Sequence, residues 1–116
     1  MQLTNFRMSI LSPLEDIDYC CGKTLLRMDY LVIDGCDCFN ILWNDGVFDI
    51  INKACGSAID EHEEECLKPD QINKAIVSLS KINKNLLHVY TQAFIDKLIN
   101  LLTSAKNRGT SVYFVL

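Results

Sequence analysis

Apolar residues recur every three or four positions between Leu86 and Ala105, which is the period of an α-helix with one buried face. Asn85 precedes this stretch as a predicted N-cap, and residues 107–109 follow it as a predicted stop. About twenty residues give roughly 30 Å of helix, the width of a small domain. We therefore predict that this helix organises the core. Its apolar positions are Leu87, Tyr90, Phe94, Leu98, Leu101, Leu102 and Ala105.

Three other stretches have patterns that are typical of strands. Residues 3–11 alternate loosely, and residues 24–33 alternate until Asp34 and Gly35, a pair that favours a tight reversal. The last six residues, 111–116, are mostly β-branched or aromatic. We expect the C-terminal strand to be paired, because an unpaired terminal strand would fray.

Two helix starts are predicted around prolines. Ser12, Pro13 and Glu15 match a serine cap, a proline in the first turn and a capping-box glutamate. Pro69 begins a second predicted helix after Lys68. The apolar stripe of that second helix consists of Ile72, Ala75, Ile76, Leu79 and Ile82.

The stretch from Cys38 to Trp43 has two interpretations. It could be the return strand of a hairpin closed by residues 44–46, or the beginning of a helix from about Phe39 with a kink near Gly46. We favour the helix, since a glycine inside a helix costs only about 1 kcal/mol relative to alanine. The period of so short a stretch does not decide between them. Residues 47–58 are predicted to be helical in both cases.

These elements predict an α+β fold for residues 1–116 as a single domain. Helices dominate, and a small sheet forms from N-terminal and middle strands together with the C-terminal strand. No stretch reaches 18 consecutive apolar residues, so we expect no membrane contact. The first eleven residues lack the apolar core of a signal peptide, which predicts a cytoplasmic protein. In that compartment the six cysteines are expected to be reduced thiols that are buried as small hydrophobic residues.

Charge divides the chain into two halves. Residues 1–66 carry 13 acidic and 4 basic side chains, a net charge of −9, whereas residues 67–116 carry 2 acidic and 7 basic ones, a net charge of +5. Such asymmetry influences partners and rates of encounter rather than the fold. The most concentrated part is the acidic stretch 60–65, which contains five carboxylates. It is either a solvated helix end or a docking surface for a basic partner.

Candidate metal ligands are few. His62 and Cys66 are four residues apart, a spacing that would place both on one face of a helix. Cys36 and Cys38 could complete a four-ligand zinc site, although the chain contains no Cys-x-x-Cys pair. His88, the other histidine, is expected to be a partly buried structural residue. We predict no cofactor.

Sequence signatures of catalysis are missing. No serine lies in a Gly-x-Ser-x-Gly setting, and no glycine-rich phosphate loop occurs. Neither histidine stands in a motif that would activate a thiol. The basic residues of the C-terminal half are spread singly along predicted helices, which argues against nucleic-acid binding. We therefore expect a protein that is not an enzyme.

Five short motifs are spread over the chain from residue 39: Phe39-x-x-x-Trp43, Phe48-x-x-Ile51, Glu63-Glu64-Glu65, Leu67-x-Pro69 and Phe94-x-x-x-Leu98. Together they resemble small bacterial toxin-immunity proteins, including the partners of contact-dependent growth-inhibition toxins. The resemblance extends from Phe39 to Phe114, and the family has no invariant signature. It implies a stoichiometric inhibitor that occludes the active site of a cognate toxin.

An acidic inhibitor would suit a toxin that acts on RNA or DNA, because such a toxin needs a cationic surface. Trp43 is either part of the core or an interface anchor. Two alternatives remain: a zinc-binding or thiol-based regulatory domain, and an adaptor subunit of a larger complex. The predicted contact surface consists of Asp60, Glu61, Glu63, Glu64 and Glu65, with Asp45, Asp49 and Trp43.

Overall fold

A computed structural model of the chain describes residues 8–14, 28–61 and 64–116. These residues form helices and the strands of one antiparallel sheet, which confirms the predicted α+β class. A short 3-10 turn, Lys84–Leu86, precedes the longest helix. The elements in order are β1 (Met8–Pro13), β2 (Met28–Ile33), α1 (Gly35–Asn44), α2 (Val47–Cys55), β3 (Glu64–Leu67), α3 (Pro69–Ser80), α4 (Val89–Arg108) and β4 (Val112–Val115).

The four described strands form one antiparallel sheet in the order β2-β1-β4-β3. Ile10 lies opposite Leu31 on one side and Phe114 on the other, so these three residues share a face of the sheet. Ile10 and Phe114 are fully buried in the core that the sheet forms with the helices. The C-terminal strand is therefore paired on both sides, as the sequence predicts. The strands predicted at 3–11 and 24–33 are confirmed where they fall on described residues.

Helix α4 has the predicted role in the core, but it begins later than predicted. It starts at Val89, and its N-cap is His88, whose Nδ1 accepts a hydrogen bond from the Tyr90 N–H at 3.0 Å. The predicted N-cap Asn85 instead lies in the 3-10 turn, where its own N–H donates to Asn83 Oδ1. His88 is exposed rather than partly buried. The buried side of α4 consists of Thr91, Phe94, Ile95, Leu98, Leu101, Leu102 and Ala105.

The helix predicted to begin at Ser12 is wrong, because Ser12 and Pro13 are the last two residues of β1. The Ser12 hydroxyl donates to the Ser111 carbonyl and accepts from Arg108 Nη2, each at 3.0 Å. Arg108 Nε also donates to the Pro13 carbonyl at 3.2 Å. The hydroxyl that could have capped a helix therefore joins β1 to the end of α4. Residues 15–22 of the predicted helix lie outside the described residues.

The helical interpretation of the Phe39–Trp43 stretch is confirmed, and the hairpin is wrong. Helix α1 already begins at Gly35, so Asp34 and Gly35 do not form a hairpin turn. Gly46 has a φ of 82°, a left-handed conformation that separates α1 from α2. Gly56, with a φ of 68°, ends α2 at Cys55, three residues before the predicted end.

Strand β3 was not predicted, and it corrects the helical interpretation of the acidic stretch. Glu64–Leu67 pairs with β4 at the edge of the sheet, with Leu67 opposite Val112. His62 and Glu63 lie outside the described residues. The helix predicted at Pro69 is confirmed: the Lys68 N–H donates to Gln71 Oε1 at 2.9 Å, as in a capping box.

Within the described ranges, no helix combines the length and the apolar character that crossing a membrane requires.

Candidate protein-interaction surface

Trp43 lies on the last turn of α1 and is 42% exposed. Its ring stacks on Phe39, with centroids 5.8 Å apart, and lies 6.1 Å from the ring of Phe48 at a tilt. Phe39 and Phe48 are buried and stack on each other at 5.5 Å. The indole thus packs against two core rings, while part of it faces solvent. Trp43 is therefore at the edge of the core, and its role as an interface anchor stays a prediction.

Asp45 connects α1 to the beginning of α4. Its Oδ2 accepts a hydrogen bond from the His88 N–H at 3.1 Å. The N–H groups of the first turn of a helix, and of the residue before it, lack intrahelical partners, so this carboxylate satisfies a free donor. Its negative charge also lies at the favourable end of the helix dipole. Asp45 therefore has a structural contact in addition to any contact with a partner.

The Asp45–His88 hydrogen bond joins two segments that both carry exposed apolar side chains. Leu86 is 81% exposed and Val89 is 77% exposed. Sequence reasoning assigned Leu86 to the helix and neither residue to a site. Val89 lies outside the apolar stripe of α4, and Leu86 lies in the 3-10 turn before the helix begins, so neither side chain joins the core.

The first turn of α4 also contacts the first turn of α1. Burial raises the pKa of Tyr90 to about 12, and the neighbouring Cys38 side chain and the Asp34 charge contribute to the increase. Tyr90 stacks on Phe94 with ring centroids 6.2 Å apart, which anchors this turn to the core. The phenol thus remains neutral at ordinary pH, close to the acidic helix α1.

Asn52 on α2 positions the loop that leads to the acidic stretch. Its Oδ1 accepts from the Ile59 N–H at 2.8 Å and from the Ser57 hydroxyl at 2.7 Å, and its Nδ2 donates to the Ile59 carbonyl at 3.1 Å. Sequence reasoning missed this residue. The signal was available, since asparagine is a poor helix former that bonds readily to nearby backbone.

The acidic residues that the sequence predicts fall into two groups. On α2, Asp49 is exposed and forms an ion pair with Lys53 at 3.0 Å, one helical turn away. Across the loop, Glu65 on β3 accepts from the Ala58 N–H through Oε2 at 2.7 Å. The contacts of Asn52 connect the two groups through residues 57–59. Glu63 lies outside the described residues.

The remaining predicted acidic residues lie on the loop and on the edge strand. Asp60 is exposed, and its Oδ1 accepts from the Glu61 N–H at 2.7 Å. Glu61 is half-buried, and Glu64 is exposed at the start of β3. None of these carboxylates is buried.

Negative charge dominates the described part of residues 28–66. It contains nine carboxylates and one cation, Lys53, which is bound to Asp49. All nine are exposed or half-buried. They are Asp29, Asp34, Asp37, Asp45, Asp49, Asp60, Glu61, Glu64 and Glu65.

The four described cysteines are not buried as expected, since Cys36 is exposed and Cys38, Cys55 and Cys66 are half-buried. The geometry also does not favour the candidate zinc ligands. Cys66 lies on strand β3, so the helical argument that paired it with His62 is wrong. Cys36 and Cys38 are two residues apart on α1 and therefore point to different sides of the helix. Among residues 8–14, 28–61 and 64–116, no group of three or more His, Cys, Asp or Glu side chains could hold a metal ion.

Comparisons with models of protein families, with curated proteins and with solved structures found no match to this chain.

Proposed function

We propose that this chain is an immunity protein that binds and neutralises a basic bacterial toxin through the acidic surface of residues 28–66. The observation that carries the proposal is the segregation of charge. Nine carboxylates in the described part of that segment reach solvent, and its one cation is already paired. An exposed tryptophan, Trp43, lies on the same segment and supplies an apolar anchor.

The physical advantage of such a surface is rapid and specific association. Complementary charge steers a basic partner to the surface and raises the association rate, and salt weakens this effect. A toxin that cleaves nucleic acid has to present cations to its substrate. An acidic inhibitor that covers those cations would exclude the substrate by charge and by volume.

Co-expression tests the biological role. Each open reading frame beside the gene of this chain is expressed alone in a bacterial host and then together with this chain. We expect one neighbour to stop growth alone and to be harmless in the co-expressing strain, with the two proteins purifying as a stoichiometric complex. If no neighbour is toxic, or if growth arrest persists with this chain present, the proposed role is wrong.

Charge reversal tests the surface, because the chain offers a matched control. The variant Glu64→Lys and the control Asp70→Lys change the net charge equally and alter only exposed positions. We expect the first variant to associate with the toxin at least about tenfold more slowly at low salt and with a weaker salt dependence, and the control to change much less. Equal effects would show that net charge alone, rather than this surface, governs binding.

A further inference from the structure

Three exposed apolar side chains lie close to the Asp45–His88 hydrogen bond, each within two residues of one of its partners. Trp43 precedes Asp45, and Leu86 and Val89 stand on either side of His88. Two of them are more than three-quarters exposed, although valine and leucine are usually among the most buried residues. We call Trp43, Leu86 and Val89 the apolar cluster.

Each residue of the apolar cluster belongs to a helix or a 3-10 turn. Trp43 is stacked on Phe39, Leu86 ends a 3-10 turn, and Val89 is the first residue of α4. Lys84 in the same turn forms an ion pair with Asp96 on α4. A surface that is already fixed loses little conformational entropy when a partner binds, and this favours affinity.

The charges around the apolar cluster are negative. Residues 34–52 contain four aspartates and no lysine, arginine or histidine. Asp37 on α1 and Asp49 on α2 are exposed, and Asp45 lies between the two helices. The cation closest in sequence to Leu86 is Lys84, whose charge is neutralised by Asp96. An apolar centre with a charged rim is the usual anatomy of a protein interface.

We propose that the apolar cluster is the energetic centre of the partner interface, and that its occupant is a basic protein with an apolar side chain surrounded by lysines or arginines. The inference deepens the proposed function and rests on it for the identity of the partner as a toxin. It adds that the C-terminal half of the chain contributes Leu86 and Val89 to binding. The acidic residues would then set the rate of association, and the apolar cluster the rate of dissociation.

A photoreactive amino acid placed at Leu86 tests the occupant, with the same substitution at Val77 as the control. Val77 is a 44% exposed apolar residue on α3, nine residues before Leu86 and outside the apolar cluster. We expect irradiation of cells of the encoding organism to crosslink a basic protein at position 86 but not at position 77. Crosslinking that is equal at the two sites, no crosslink at position 86, or a crosslink to a second copy of this chain would overturn the inference.

The crosslinked protein is then purified and its binding to defined variants is measured. We expect the double variant Leu86→Ser/Val89→Ser to bind it at least about tenfold more weakly than the wild type, mainly through faster dissociation, and Val77→Ser to bind as the wild type does. Unchanged affinity of the double variant would overturn the inference.

The two proposals fail separately in these experiments. If the captured protein is basic and depends on Leu86 and Val89 but is not toxic, the interface stands and the immunity role is wrong. If a toxin is neutralised equally well by the double variant, the immunity role stands and the apolar cluster is not its interface.

Discussion

A fully buried hydroxyl group lies at each end of helix α4, that of Ser12 on β1 at the C-terminal end and that of Thr91 at the N-terminal end, and only the first is hydrogen-bonded. At the C-terminal end, the Ser12 hydroxyl contacts Arg108, the Ser111 carbonyl and the Thr110 hydroxyl, all at 3.0 Å. At the N-terminal end, Thr91 Oγ1 has no hydrogen-bond partner. The Leu87 carbonyl, one turn before Thr91, accepts instead from Gln92 Nε2 at 3.0 Å.

The same contrast holds for the apolar side chains at the two ends. Ala105 is buried, and β4 begins three residues after Gly109 ends the helix, so the C-terminal end is enclosed by the sheet. At the N-terminal end, Leu86 and Val89 project into solvent. From this difference we infer that stability and recognition are separated along one helix. The C-terminal end and the centre of α4 hold the fold together, and we infer that the N-terminal end serves binding.

The largest expected effect lies at the centre of α4. Phe94 is buried and contacts the Tyr90 ring, so Phe94→Ala should lower the free energy of unfolding by about 3–5 kcal/mol in urea denaturation. The exposed Val89 is the control, and Val89→Ala should stay within about 0.5 kcal/mol of the wild type. A large loss from Val89→Ala would mean that the N-terminal end contributes to the core after all.

The next effect concerns the C-terminal end. Ser12→Ala leaves the buried contacts of Arg108 and the Ser111 carbonyl incomplete, and we expect a loss of about 1–3 kcal/mol in the free energy of unfolding. Ser80 donates to the Ile76 carbonyl on an exposed turn, so Ser80→Ala should be nearly neutral. If both variants were equally stable, the hydrogen bonds of Ser12 would not be what stabilises the C-terminal end of α4.

Alkaline pH tests the contact between α4 and α1. Tyr90 has a pKa of about 12 in the folded protein against 10.0 for an unperturbed tyrosine, mainly because of its burial. The folded state therefore holds this proton more tightly than the unfolded state, and the stabilisation is lost as the pH rises from 10 towards 12. Urea denaturation at a series of pH values should show a shallower alkaline decline in Tyr90→Phe. An identical decline in both proteins would place Tyr90 in solvent.

The smallest expected effect has the opposite sign. Thr91→Val keeps the shape of the side chain and removes a buried hydroxyl that has no partner. We expect the free energy of unfolding to rise by about 1 kcal/mol, measured in the same urea titrations. A loss of stability would show that the hydroxyl has a partner and that the two ends of α4 are more alike than described.

The features that sequence predicted correctly are local ones. The 3.6-residue period of α4, the proline start of α3 and the β-branched pattern of β4 depend on residues that are neighbours in sequence. Strand β3 depends for its pairing on β4, which lies far along the chain: Leu67 is opposite Val112, 45 residues later. Its two glutamates give no strand signal of their own.

Two residues show why the sequence alone predicted the three-dimensional arrangement only in part. Ser12 has the sequence of a helix cap, but Arg108 and Ser111, far away in sequence, decide its role. Leu86 begins the apolar stretch that predicts α4, but the helix itself starts at Val89, where the His88 side chain accepts a hydrogen bond from the Tyr90 N–H. Composition located the acidic half, and only the three-dimensional arrangement joins it to Leu86 and Val89.

Hydrogen exchange of the complex compares the two ends of α4 most directly. Backbone amide exchange is measured with and without the basic protein captured at position 86. We predict that partner binding slows exchange by about tenfold or more at residues 84–91 and leaves residues 106–112 unchanged. Slower exchange at residues 106–112 alone, or no change at residues 84–91, would contradict the assignment of binding to the N-terminal end.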